Sequence, residues 1–208
     1  MKSFSFLLFF SFTFFSCQAQ SDPKPRLVGA PCEGCEAVLE FGDKDLNSTD
    51  TISLFHTATK QIKITGTIYQ VDGRTPAANV ILYVYHTDEE GIYPSTGKEN
   101  NWAKRHGKLR AWVQTDREGK YSFYTGQPAS YPGRTVPAHI HSIILEPDGR
   151  YYYLQDYYFA EDPYLSKAET DRAAPRGGNN GVLDLTQEGN LWVGKRDFIL
   201  GKNIPNYQ

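Results

Sequence analysis

Asn79-Val80-Ile81-Leu82-Tyr83-Val84-Tyr85-His86 is apolar or aromatic in both of its alternating sets: Val80, Leu82 and Val84 in one, Ile81, Tyr83 and Tyr85 in the other. A strand points successive side chains to opposite faces, so this run reads as a strand covered on both sides. From Lys60 onward the chain alternates short β-rich segments with turn signals at the spacing of an all-β sandwich. Residues 61–70 put Ile62, Ile64, Gly66 and Ile68 on one face and turn at Asp72-Gly73. Residues 108–115 and 120–125 flank Asp116-Arg117-Glu118-Gly119, which reads as a hairpin turn, and residues 138–145 and 150–158 flank a second at Asp148-Gly149. A polar stretch after Asp162 has room for a turn of helix. Beyond the loop Gly177-Gly178-Asn179-Asn180-Gly181, residues 182–185 and 191–200 close the structure. The expected fold is all-β: a two-sheet β-sandwich with long active-site loops and little helix.

Two loops are longer than a minimal sandwich needs, residues 87–107 with Tyr93 and residues 126–137 with Tyr131. Long loops in compact domains tend to be functional, and loops at one end of a sandwich can converge. Pro137-Ala138-His139-Ile140-His141 follows the second. Residues at i and i+2 of a strand share a face, so His139 and His141 can aim at one ion while Ile140 faces the core. Two phenolates with two neutral imidazoles form a hard donor set that suits Fe(III) better than softer divalent ions. A phenol ionises near pH ~10 in water, and only a strong Lewis acid holds it deprotonated at neutral pH.

The 208 residues have room for one domain with extensions. A net charge of −2, with both signs mixed along the chain, offers no basic stripe for phosphates and excludes nucleic acid as an expected partner. Residues 1–16 read as a bacterial export signal, with Lys2 at the positive end and an apolar run shorter than the ~20 residues needed to span a bilayer. Ser16-Cys17 resembles a lipobox, so Cys17 is the expected lipidation site and the mature protein a membrane-anchored lipoprotein of the bacterial cell envelope. The alternative is a secreted protein that loses Cys17 with its signal. The expected organisation is 1–17 signal, 18–58 tether and N-terminal extension, 59–201 sandwich and 202–208 tail. In an oxidising compartment Cys32-Glu33-Gly34-Cys35 is most simply a local disulfide, Cys32 to Cys35; a redox pair would need a βαβ context that is absent.

Gly66-Thr67-Ile68 leading to Asp72-Gly73-Arg74-Thr75-Pro76, then residues 80–86, Gly91-Ile92-Tyr93, residues 115–123, Tyr131-Pro132 and Pro137-Ala138-His139-Ile140-His141 follow one another as in the intradiol ring-cleavage dioxygenases, the catechol 1,2- and protocatechuate 3,4-dioxygenases, which the chain resembles over roughly residues 60–160. The resemblance implies a non-haem Fe(III) held by Tyr93, Tyr131, His139 and His141, with hydroxide in the fifth position, Tyr131 and His141 axial, and Tyr93 and His139 equatorial. It implies a catechol-type substrate that gives its protons to the hydroxide and to Tyr131, the catalytic residue, and is cleaved by O2 to a muconate-type diacid. Gln155 stands where the family keeps a substrate-side Gln. The family usually has an Arg directly before the Pro-Ala-His-Ile-His piece; this chain has Val136, and Arg134 or Arg110 is expected to reach the same space.

Other readings remain open at this stage. His139-x-His141 followed by Glu146 matches half of a cupin motif, which requires a later His that the chain lacks, and a zinc site would have to recruit His86 or His106. Otherwise His56, His86 and His106 read as surface or packing residues. Residues 66–84 also resemble the opening of transthyretin-like and carboxypeptidase-regulatory-like modules, which would make the protein a non-catalytic binding lipoprotein. Oligomeric state is not legible in the sequence.

Overall fold

The computed structural model describes residues 23–208, and the export signal with Cys17 lies outside them. In chain order the described strands are β1 (Arg26–Leu27), β2 (Thr49–Thr51), β3 (Gln61–Tyr69), β4 (Ile81–His86), β5 (Arg110–Gln114), β6 (Lys120–Gly126), β7 (His139–Leu145), β8 (Arg150–Tyr153), β9 (Tyr157–Phe159), β10 (Val182–Leu183), β11 (Thr186–Glu188), β12 (Leu191–Lys195) and β13 (Phe198–Ile199). Two one-turn helices, α1 (Ala103–His106) and α2 (Lys167–Thr170), interrupt them. The strands form the two sheets of a β-sandwich. One sheet has seven strands, ordered β1-β8-β7-β4-β5 with β9 beside β7 and β10 beside β9; the other has six, ordered β11-β12-β3-β6-β2 with β13 beside β3.

Both apolar sets of β4 are used. Leu82 and Val84 point inwards, joining Ile62, Ile64, Phe123 and Ile144 in the core between the sheets. Ile81 and Tyr83 point outwards into a second cluster with Trp112, Ile143, Tyr151, Cys35 and Val38. Taking side chains of this size out of water contributes about 1.5–3 kcal/mol each, so the outer face of the seven-stranded sheet needs a cover. Residues 26–46 supply it. β1 runs parallel beside β8, the short turn Cys35–Leu39 buries Cys35, Ala37 and Val38, and the Trp112 indole donates to the Val38 carbonyl at 3.1 Å. β2 then pairs in parallel with β6. The segment 26–58 therefore gives one strand to each sheet as well as a cover to one face.

Three local expectations are corrected. The turn at 116–119 is not a hairpin, because β5 pairs with β4 and β6 with β3, so it carries the chain from one sheet to the other. A turn sequence fixes the local reversal and not the partner of the strand that follows. The single strand expected over 150–158 is two strands: Leu154 still donates its amide to Ser142 of β7, but Gln155 donates to Arg176 instead, and the chain leaves the ladder before it resumes at Tyr157. Residues 191–200 divide in the same way, into β12 and β13. Asp148-Gly149 does make the β7–β8 hairpin. Just past β7, Glu146 is buried and accepts from Tyr152 (2.7 Å) and Tyr207 (2.9 Å) while pairing with Arg150 (3.1 Å). It ties the C-terminal residues to the sheet and stands apart from both histidines.

Candidate metal centre

His139 and His141 begin β7, opposite Tyr158 on β9 and Tyr85 on β4. Ile140 between them is fully buried in the core. The two imidazoles thus stand on the outer face of the seven-stranded sheet, where β7 begins, and the two loops converge on them there. Both loops are tied together before they reach it. Thr87 donates its hydroxyl to the Ala129 carbonyl (2.8 Å), and the Ala129 amide donates to the Asp88 carbonyl (2.9 Å). The Asp88 carboxylate accepts from the Ile92 amide at 2.9 Å, closing the turn before Tyr93. In that turn Gly91, at φ +77°, lies so close to the second loop that an added Cβ would stand 2.0 Å from the Ser130 carbonyl oxygen. Tyr131 follows directly.

The result is a closed ring of four donor atoms. Tyr93 Oη lies 2.8 Å from Tyr131 Oη, Tyr131 Oη 3.3 Å from His139 Nε2, His139 Nε2 3.2 Å from His141 Nε2, and His141 Nε2 3.2 Å from Tyr93 Oη. Donors about 2.0–2.2 Å from one ion, at angles of about 90–110°, stand about 2.8–3.6 Å apart, so all four sides of the ring fit a shared metal. The outer nitrogens are fixed as well. His139 Nδ1 faces the Pro137 carbonyl at 2.8 Å and must carry the proton it donates, leaving Nε2 free to ligate. His141 Nδ1 faces the Asp156 carboxylate at 3.2 Å, the carboxylate–imidazole pairing that orients metal-binding histidines.

Burial favours the neutral form of the phenols and of His139. Burial, and next the neighbouring Tyr131 hydroxyl, push the Tyr93 phenol well above the usual range, and burial raises Tyr131 too. Phenols so placed ionise only onto a strong Lewis acid. Burial and then the His141 ring lower the pKa of His139, which favours the neutral, ligating imidazole. Asp156 is raised by burial but pulled down by His141 and its hydrogen bond, ending below the ordinary carboxylate value.

Residues 42–177, well over half of the chain, match the family model described as a dioxygenase. The chain belongs to the intradiol dioxygenase family. It is 30% identical to catechol 1,2-dioxygenase 2 of Acinetobacter lwoffii over 139 residues, 52% of this chain and 49% of that protein. It is 26% identical to the protocatechuate 3,4-dioxygenase beta chain of Burkholderia cepacia over 155 residues, 68% of this chain and 64% of that one. The chain therefore spans about half to two thirds of the length of these relatives. Its fold is like that of the solved catechol 1,2-dioxygenase from Acinetobacter sp. ADP1, with a TM-score of 0.57 at 20% identity over 90% of this chain and 66% of that one.

Around the donor ring stand the other residues that the sequence singles out. Gln155 lines a cavity beside His141 and donates to the Tyr158 hydroxyl at 3.3 Å. Arg134 is exposed in the turn after Tyr131, with no ion pair among the described residues. Arg110 is held by Glu40 at 2.9 Å and lies over Trp112. Neither Arg lines the two cavities beside the donor ring, and Val136 is itself exposed. The guanidinium groups lining the cleft are those of Arg105, Arg172 and Arg176. His56 is exposed, whereas His86 and His106 are buried packing residues and not surface ones. His86 donates to the Thr87 carbonyl (2.6 Å) and accepts from Thr125 (2.7 Å), so it has nothing left for a metal. Cys32 and Cys35 form the expected disulfide. Asp156 is the residue that the sequence reading passed over. Its one signal is an acidic side chain directly after Gln155 in a run otherwise aromatic.

Proposed function

We propose that this dioxygenase is an iron(III) enzyme that uses O2 to cleave a catechol-type ring between its two hydroxylated carbons, yielding a muconate-type diacid. The observation that carries the reading is the closed ring formed by Tyr93, Tyr131, His139 and His141, each donor 2.8–3.3 Å from its two neighbours. These four residues would hold the ion. Two phenol oxygens and two imidazoles favour iron in its oxidised state. Bound there, ferric iron would supply a Lewis acid and a template for the two catechol oxygens.

The chain's own residues divide the remaining work. Tyr131 stands across the ring from His141, and its Oη is the acceptor for a substrate proton. Tyr93 is more deeply enclosed and stays a donor throughout. Pro137 and Asp156 hold the two imidazoles in the tautomer that keeps each Nε2 directed inwards. Gln155 and Tyr158 wall the cavity next to His141, and the ring of the substrate would lie against them.

The test is colour and turnover together. Protein loaded with ferric iron is expected to be red-purple through phenolate charge transfer and to consume oxygen when given catechol, with absorption by a muconate-type product. A colourless protein with iron present sinks the metal assignment. A coloured protein inert towards a panel of substituted catechols favours the rival reading, a β-sandwich without turnover, for which Val136 is the motive. Export and lipid attachment at Cys17 belong to the same proposal on sequence grounds. Intact-mass analysis of the purified protein is expected to show acyl chains on an N-terminal Cys17, and a mature chain cut elsewhere would remove the anchor.

A further inference from the structure

Cys32-Glu33-Gly34-Cys35 is the sequence motif that the ring of donors leaves unused, yet it lines the cavities beside that ring. Two cavities flank the His141–Tyr93 side. The larger, about 390 Å³, is lined by His141, Gln155 and Tyr158 together with Cys32, Glu33 and Tyr85. The smaller, about 210 Å³, is lined by Tyr93, Trp102, Arg105 and His106 together with Glu33 and Tyr85. Glu33 and Tyr85 alone are common to both, Tyr85 as the floor on β4 and Glu33 as the roof. Glu33 pairs with Arg105 across the gap, closing a partition above Tyr85.

The main chain of this loop has little freedom to recede. The Cys32–Cys35 disulfide ties its two ends. Gly34 presses on His106, since an added Cβ would stand 2.7 Å from His106 Nε2 and 3.4 Å from the Trp102 ring. His106 in turn stacks on Tyr85 with ring centres 3.7 Å apart, and Tyr85 stacks on His141 at 4.5 Å. His106 is fixed a second time through Nδ1, 2.9 Å from the Tyr83 hydroxyl. A rigid backbone thus carries a side chain that is free to swing: the Arg105 and Glu33 side chains are 59% and 69% exposed, and exposed ion pairs hold only weakly.

We infer that the Cys32–Cys35 loop is the outer wall of the substrate cleft, and that Glu33, bridged to Arg105, determines whether a ring substituent can extend from the chamber beside His141 into the one beside Tyr93. The inference rests on the iron-dependent ring cleavage proposed above. With the partition closed, a ring bound beside His141 keeps its substituents within the larger chamber; displacing Glu33 opens the chamber on the Tyr93 side to them as well.

The experiment compares catechol with 4-tert-butylcatechol in wild type, Glu33→Ala and the double variant Cys32→Ser/Cys35→Ser. The kcat/KM ratio of bulky to bare substrate is expected to rise by about tenfold, the scale of a methylene or two gained in a pocket, and to do so through KM. The charge-transfer band should not move in Glu33→Ala, whose side chain touches no donor atom. Calorimetric Kd values for the two catechols on the same proteins give the ratio without turnover, so a protein inert towards catechol still answers the question. A ratio equal to that of wild type in both variants, by kinetics and by calorimetry, overturns the wall. Loss of colour or of all catechol turnover in the wild type counts instead against the proposed chemistry.

Discussion

Replacing His141 with alanine is expected to remove both the red-purple band and catechol-dependent oxygen uptake, the latter by about 10³-fold or more, over 4 kcal/mol of barrier. His141 Nε2 supplies two of the four sides of the donor ring, at 3.2 Å to His139 and 3.2 Å to Tyr93. Without it the remaining three donors no longer close around one ion, and the Asp156 carboxylate loses its imidazole partner. The fold should survive, because the His141 side chain lies on the outer face and is 25% exposed, whereas the core contact at this point comes from Ile140. Iron content by mass spectrometry, the visible spectrum and circular dichroism on one sample separate the outcomes. Retained colour and turnover in a folded His141→Ala protein would take this residue out of the site.

What could be read from the sequence was what depends on strand period and on short turns. The alternation His139-Ile140-His141 places the histidines and buries the isoleucine on whatever sheet contains them, and the doubly apolar β4 has to be a central strand. The lengths of the two Tyr-bearing loops marked the segments that bring Tyr93 and Tyr131 to the histidines. Facts decided by long-range pairing were not legible. Asp116-Arg117-Glu118-Gly119 makes a tight turn whether β6 returns to its own sheet or crosses to the other, and its residues carry no information on which. The role of residues 26–46 depends on the outer face of β4, β7 and β5 being apolar and uncovered, which becomes visible only once those strands lie side by side. The direction of Arg134 was not legible either: nearness in sequence to Tyr131 says nothing of direction when a turn intervenes, and Arg134 is exposed in that turn. Asp156 was concealed by the assumption of one continuous strand over 150–158. The break at residues 154–156 is what turns that carboxylate towards His141.

Gly91→Ala should do almost as much damage as loss of a ligand, although Gly91 touches neither metal nor substrate. Its φ of +77° lies in the left-handed region, where a Cβ costs about 1–2 kcal/mol. Its larger effect is a matter of contact: the new Cβ would stand 2.0 Å from Ser130 O and 3.1 Å from the Pro132 ring, so one loop has to move away from the other. Tyr93 is two residues from one side of this contact and Tyr131 is adjacent to the other. Their hydroxyls, now 2.8 Å apart, must separate. A displacement of about 1 Å at a reacting centre costs about 10²-fold in rate, and that is the expected loss of oxygen uptake, with a weaker and shifted charge-transfer band. Gly97→Ala is the control. It lies in the same loop at the same φ of +77°, but an added Cβ there meets nothing within 4 Å. It therefore carries the backbone strain without the collision, and should lower the Tm by a few degrees, roughly 2–4 °C per kcal/mol in a chain of this size, while leaving colour and turnover near wild type. If the two alanine variants behave alike, strain alone explains the result, and the packing of Gly91 on Ser130 is not what brings the two tyrosines to one metal.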